Sequence, residues 1–185
     1  MRPILFIDRD GTLIHEPQGN DFRIRSLQQL QLLPNVIPVL QQLLIRNFYD
    51  LVLVTNQDGL GTPFYPENDF FPIHQHLMDT LKNAGICFVE QCIDRSYAHE
   101  QLPTRKPFTG RVQHYANNPD FDYKNSFVIG DSPADVGLAA NLGIGAIWLW
   151  HPYNANTELP PKWQQAVVLR PKSWDEIANF LIRPI

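Results

Sequence analysis

The sequence predicts an α/β fold: a doubly wound parallel sheet covered by helices on both faces, with no large cap domain. Three observations carry this. Short apolar runs near residues 3–8, 50–55, 86–92, 125–130 and 144–149 read as strands. Helix-like stretches near 36–46, 68–84, 108–118, 132–142 and 173–182 lie between and after them, which implies right-handed crossovers and a parallel sheet. Three of the runs end in polar residues able to do chemistry, and such ends gather along one rim of an open sheet, where ligands bind.

Taken in order, the first run passes straight into Asp8, Arg9, Asp10, Gly11 and Thr12. Alternation in an extended chain puts Asp8 and Asp10 on one side, and Gly11 lets the chain turn away beyond them. Carboxylates this close repel unless a cation or proton intervenes. A Mg²⁺ ion on oxygen ligands resolves the conflict and draws in a phosphate ester, although a plain Asp/Gly turn explains the short motif equally well by itself. The second run ends in Thr55, Asn56, Gln57, Asp58 and Gly59, a hydroxyl and amides suited to phosphate oxygens. Arg105, Lys106 and Pro107 then supply positive charge at the head of the helix expected over 108–118, with Pro acceptable in its first turn. The run over 125–130 leads into Asp131, Ser132, Pro133, Ala134 and Asp135, two more carboxylates at a helix start. Residues 152–161, rich in proline, read as a long surface loop before the last helix.

Composition bounds the alternatives. A chain of 185 residues, 44% hydrophobic, can bury one substantial core, so a single domain over 1–185 is expected. A net charge of −4 with scattered acids and bases argues against a nucleic-acid-binding surface. Cys87 and Cys92 are the only cysteines, which gives no disulfide framework. Neither a signal-peptide layout nor a membrane-length apolar run is present, and the expected setting is a reduced cytoplasm. Nothing in the sequence demands more than a monomer or a weak homo-oligomer.

The order acid pair, Thr, Lys, acid pair resembles the four motifs of the haloacid dehalogenase-like phosphohydrolase superfamily. The segments FIDRDGTLIHEP, residues 6–17, and VTNQDGLGT, residues 54–62, are similar to the bacterial histidinol-phosphate phosphatases within it, as are residues 33–38. Heptose bisphosphate phosphatases share the DRDGT opening but typically carry Ser where Asp58 stands. The resemblance implies a Rossmann-like sheet and a Mg²⁺-dependent phosphatase of histidine biosynthesis acting on a small phosphorylated metabolite. It implies Asp8 as nucleophile and Asp10 as general acid and base. Thr55, the Asn56 amide and Lys106 would hold phosphoryl oxygens. Asp8, the Asp10 carbonyl and Asp131 would bind the metal, and Asp135 would support them. Arg9, Glu16, Gln57, Asp58 and Arg105 are candidate substrate contacts, Arg9 with packing beside its strand as the alternative reading. His74 and His76 read as surface or packing residues. Other outcomes compatible with the pattern are a sugar phosphate phosphatase, a phosphotransferase and a non-catalytic phosphate-binding module.

One departure stands out. Both resembling families hold zinc in a loop before the Arg/Lys/Pro motif, using several Cys and a His, whereas residues 92–104 here offer only Cys92, Asp94 and His99. That donor set is too poor for a structural zinc site, so no zinc is expected.

Overall fold

The computed structural model describes residues 2–17, 21–45 and 49–182. Among the described residues six parallel strands form one sheet in the order β3-β2-β1-β4-β5-β6. They are β1 (Ile4–Ile7), β2 (Asp50–Asn56), β3 (Glu90–Asp94), β4 (Phe127–Gly130), β5 (Gly145–Trp148) and β6 (Val167–Leu169). The helices are α1 (Val36–Ile45), α2 (Glu67–Asn83), α3 (Gln113–Ala116), α4 (Pro133–Leu142), α5 (Pro161–Gln164) and α6 (Trp174–Leu181). Residue 46, the expected end of the first helix, lies outside the described residues.

The central strands are apolar throughout because both faces are covered. Side-chain alternation splits each strand between two cores. Leu5, Ile7, Leu51, Leu53, Ile129 and Ile147 face a cluster that includes residues of α1, α2 and α6. Ile4, Phe6, Val52, Val54, Val128 and Ala146 face the other way, toward α4 and the segment containing Val112 and Phe121. Among the described residues no helix is long and apolar enough to cross a membrane.

Chain order reverses beside β1: the chain runs outward through β2 and β3, then returns to place β4 on β1's other side. The crevice at such a reversal is where open sheets bind ligands. The register pairs Ile7 with both Leu53 and Ile129, so Asp8 follows one position before the level of Thr55 and Asp131.

Three expectations need correction. The helix over 108–118 shrinks to the single turn α3, because a loop of successive turns, closed by Gly110 N donating to Pro103 O at 2.8 Å, occupies the preceding residues. Lys106 and Pro107 therefore lie in turns and not at a helix head. The third strand begins at Glu90, not 86, since Ile86 N still bonds to Leu81 O at the end of α2. The region after β5 is not simply a surface loop: Pro152–Asn154 form a 3₁₀ turn against the sheet, followed by α5 and a sixth strand, β6.

Candidate active site

Asp8, 8% exposed, begins where β1 ends, its amide donating to Ile129 O at 2.9 Å. Asp131 follows β4, and Asp135 lies in the first turn of α4. Ser132, the N-cap of α4, donates through N and Oγ to Asp135 Oδ2 at 3.0 and 2.6 Å. Gly11 has φ +70°, and a Cβ there would sit 2.4 Å from Asp131 Oδ2, so only glycine lets the first loop approach that carboxylate. Lys106, 3% exposed, reaches this group from the segment after β3. Its Nζ lies 2.8 Å from Asp8 Oδ1 and 2.7 Å from Asp135 Oδ1, and it donates to Val54 O at 2.8 Å.

Oxygens of Asp8, Asp131 and Asp135 lie within 4.8 Å of one another. The Lys106 ammonium pairs with Asp8 and Asp135, and the excess of negative charge over the three buried carboxylates shows in the proton affinities of Asp8 and Asp131. Burial, with the charge of Asp135 next, raises the pKa of Asp8 well above the usual carboxylate value and that of Asp131 to about 6. Burial works against the charge on Lys106, but Asp135 and Asp8 outweigh it and hold its pKa above the ordinary value. Hard oxygen donors with an uncompensated negative charge fit Mg²⁺. Each of the three carboxylates also has protein partners: Asp8 Oδ1 meets Lys106 Nζ, Asp131 accepts from Thr12 Oγ1 at 3.2 Å and from Tyr153 OH, and Asp135 accepts from Ser132 and meets Lys106.

An open pocket of about 370 Å³ lies over this cluster. Asp8, Asp10, Glu16, Thr55, Asn56, Gln57, Asp58, Arg105, Lys106 and Asp131, all singled out in the sequence, line it together with Phe22 and Arg23, which were not. Gln57 Nε2 donates to Asp10 Oδ2 at 2.6 Å and to Thr55 Oγ1 at 2.8 Å, tying the two motifs together. The Asn56 side chain is spent on the Lys106 backbone, donating to its O and accepting from its N at 3.1 Å each. Arg105 Nη1 meets Asp58 Oδ1 at 2.6 Å, and Arg23 Nη2 donates to Asp58 O at 2.9 Å. Burial, then the charges of Asp131 and Asp10, raise the Glu16 pKa to about 7.

Arg9 is not a pocket residue. It is 1% exposed, lies over the Phe70 ring and pairs with Asp10, so its packing reading is the one realised. His74 is buried against Phe70, while His76 is exposed on α2.

The turn after β5 contributes groups that sequence reasoning missed. Tyr153 OH donates to Asp131 Oδ2 at 2.7 Å, and Asn154 Nδ2 donates to Asp131 O at 2.7 Å and Leu149 O at 2.9 Å. Trp148 Nε1 also donates to Asp131 O, and Arg170 Nη2 donates to Asn154 Oδ1 at 2.7 Å. The nearest sequence signal was the Pro-bounded Tyr-Asn pair itself, which carries no spacing relation to the strand ends.

In the segment 92–104 the three possible ligands are separately engaged. Cys92 is buried beside Glu90 Oε1 and Arg111 O, and its thiol pKa is pushed up to about 12 by burial and by Glu90. Asp94 accepts from Ser96 and Thr104, and the His99 ring stacks on Tyr97.

Residues 3–144 match the family described as polynucleotide kinase 3 phosphatase. The chain is 42% identical over 180 residues to the histidine biosynthesis bifunctional protein HisB of Bacteroides fragilis, covering 97% of this chain and 47% of that one. It is likewise 42% identical to HisB of Spirosoma linguale, covering all of this chain and 50% of that one. The chain thus spans about half the length of the curated relatives it matches. Among solved structures it is similar to D,D-heptose 1,7-bisphosphate phosphatase from B. bronchiseptica, complexed with magnesium and phosphate. The TM-score is 0.79, at 22% identity, with 98% of each chain covered. That likeness extends to the fold, and the family match takes in β1 through α4 with every strand-end carboxylate and Lys106 inside it. The chain belongs to the polynucleotide kinase 3 phosphatase family of haloacid dehalogenase-like phosphatases.

Proposed function

We propose that this chain hydrolyses a small phosphomonoester through an aspartyl-phosphate on Asp8, with histidinol phosphate or a similar metabolite as substrate. The observation that carries the reading is Lys106 Nζ held between Asp8 and Asp135, with Asp131 beside them at the sheet's reversal point. In the first step an Asp8 oxygen bonds to phosphorus, the ester P–O bond breaks, and the leaving alcohol takes its proton from Asp10. In the second, water attacks the same phosphorus, Asp10 takes a proton from it, and inorganic phosphate leaves with Asp8 restored. Thr55 and Lys106 supply donors and charge for the phosphoryl oxygens. Asp8, Asp131 and the Asp10 carbonyl would hold Mg²⁺, which neutralises charge on the phosphoryl oxygens.

Two features support the histidinol phosphate choice: the relatives named for histidine biosynthesis, and Glu16 at the pocket, which suits a leaving group carrying an amine or imidazolium. A second reading, a sugar bisphosphate, is favoured by Arg23 and Arg105, two guanidiniums in the same pocket that suit a second anionic group. The net charge of −4 offers no general basic surface for a polynucleotide. A panel of histidinol phosphate, heptose bisphosphate and small sugar phosphates, assayed with Mg²⁺ for steady release of inorganic phosphate, tests the proposal. Fastest release from histidinol phosphate is expected. Binding without turnover, or transfer to a second alcohol in place of release, would contradict it.

A further inference from the structure

Directly behind Asp10, on the side away from the pocket, lies a buried polar cluster that the proposed chemistry does not use. Arg9 is 1% exposed, and its guanidinium sits over the Phe70 ring at 5.0 Å. Tyr65 meets Phe70 edge-on at 6.0 Å, and His74 stacks on it at 5.0 Å and 13°. Both are also buried, and the His74 ring is tethered by Nε2 to Gln91 Oε1 at 2.8 Å. A full positive charge thus lies buried on one aromatic ring, which is itself packed against two more. Among the described residues the one carboxylate paired with it is Asp10, whose Oδ1 lies 2.6 Å from Arg9 Nη1. Arg9 Nε and Nη2 reach no hydrogen-bond partner among the described residues.

A buried guanidinium that loses its single counter-ion is left with an uncompensated charge in a poorly polarisable setting, so it cannot readily release that partner. Gln57 donates to the other oxygen, Oδ2, at 2.6 Å, and the Asp10 side chain remains 18% exposed toward the pocket. The two contacts hold both oxygens of one carboxylate: Oδ1 pairs with the buried guanidinium, and Oδ2 accepts from Gln57, itself a pocket residue.

We propose that Arg9 is a positioning residue for proton transfer. Seated on Phe70, it holds Asp10 so that Oδ2 alone delivers a proton to the departing alcohol and recovers one from water. This deepens the phosphatase reading and rests on it. In each turnover the Asp10 Oδ2–H bond breaks as the alcohol O–H bond forms, and the reverse proton movement accompanies attack by water. Arg9 touches neither substrate nor phosphorus. Its contribution should therefore vary with how much the leaving group needs a proton.

The test compares two esters. Histidinol phosphate, or whichever alkyl ester of the panel is turned over fastest, leaves as an alkoxide that needs protonation, whereas p-nitrophenolate departs without it. For Arg9→Met, kcat on the alkyl ester should fall about 100-fold, the size of a general-acid contribution, while kcat on p-nitrophenyl phosphate falls by no more than about fivefold. KM should stay within about twofold for both, because Arg9 lies outside the pocket. Arg9→Lys should recover part of the alkyl-ester loss. Phe70→Leu leaves the guanidinium in place and removes its seat, so it should show the same selective loss at smaller size, and it serves as the check if Arg9→Met does not fold. Equal losses on the two esters in both folded variants, or no loss on either, would overturn the inference and leave the phosphatase reading standing. A wild-type chain that releases phosphate from no ester would overturn both.

Discussion

The stretch from β1 through β2 and the stretch from β5 to β6 contribute to the same site by different physics. In the first, chemistry and geometry are local: an apolar run ends, a carboxylate or hydroxyl follows, and the parallel register delivers it to the rim. In the second, Tyr153 and Asn154 meet Asp131 across the fold, and Arg170 holds Asn154. The first stretch places groups that touch the phosphoryl group in the proposed reaction. The second keeps a loop carboxylate in place from behind. Substitutions in the first should therefore abolish turnover with modest effects on stability, and substitutions in the second should mostly do the opposite.

Lys106 is the sharpest exception, since it belongs to both categories. Lys106→Met should remove activity and also destabilise the fold by about 3–5 kcal/mol, because it strands two buried carboxylates without their counter-ion. Chemical denaturation with a parallel phosphate-release assay would show both losses. A variant of unchanged stability would mean that the three carboxylates are not charged together. Asn154→Ala should cost about 1–3 kcal/mol, having lost donors to two buried carbonyls, and activity should fall only as far as Asp131 shifts. If activity vanished with stability intact, the division between the two regions would be wrong.

A pH experiment probes the layer beneath the first stretch. Burial depresses the His74 pKa from its usual 6.5, with Arg9 pushing the same way and Gln91 and Asp10 opposing. A histidine less basic when folded than when unfolded contributes no penalty above about pH 7. It costs stability as pH falls below the unfolded value and toward the folded one. The melting midpoint should therefore drop less between pH 7.5 and pH 5 in His74→Leu than in the wild type. An identical drop would show that His74 is protonated inside the fold. Smallest of all, Cys92→Ser should leave activity within about twofold, and elemental analysis of the purified protein should find no stoichiometric zinc. Cys92, Asp94 and His99 are engaged separately, and one thiol is a poor supply for such a site. One zinc per chain, lost together with activity in this variant, would contradict that view.

What sequence could reveal followed the same division. Asp8, Thr55 and Asp131 were legible because each stands directly after an apolar run, where strand periodicity alone fixes its direction. Lys106 was legible as a motif, but its setting was not: turns replace the expected helix head, and its backbone is pinned by Asn56 instead. Arg9 offered two readings because a charged residue between two aspartates can point to either side of the sheet end. The aromatic cluster of Phe70, His74 and Tyr65 that receives it comes from a different part of the chain. The turn at Tyr153 and Asn154 left no trace in local pattern, since its role depends on contacts spanning some twenty residues and on the needs of one buried backbone carbonyl. Strand β6 was missed for a related reason: three residues on a sheet edge carry too few alternations to register as a strand.

The most direct test of the central claim is to trap the phosphoryl group. Wild-type chain mixed with a ³²P-labelled ester and Mg²⁺, then quenched in acid within milliseconds, should carry label on the peptide containing Asp8. Asp8→Asn should carry none and should release phosphate at least about a thousandfold more slowly. Label absent from wild type at every quench time while phosphate is steadily released, or near-normal release by Asp8→Asn, would contradict the account.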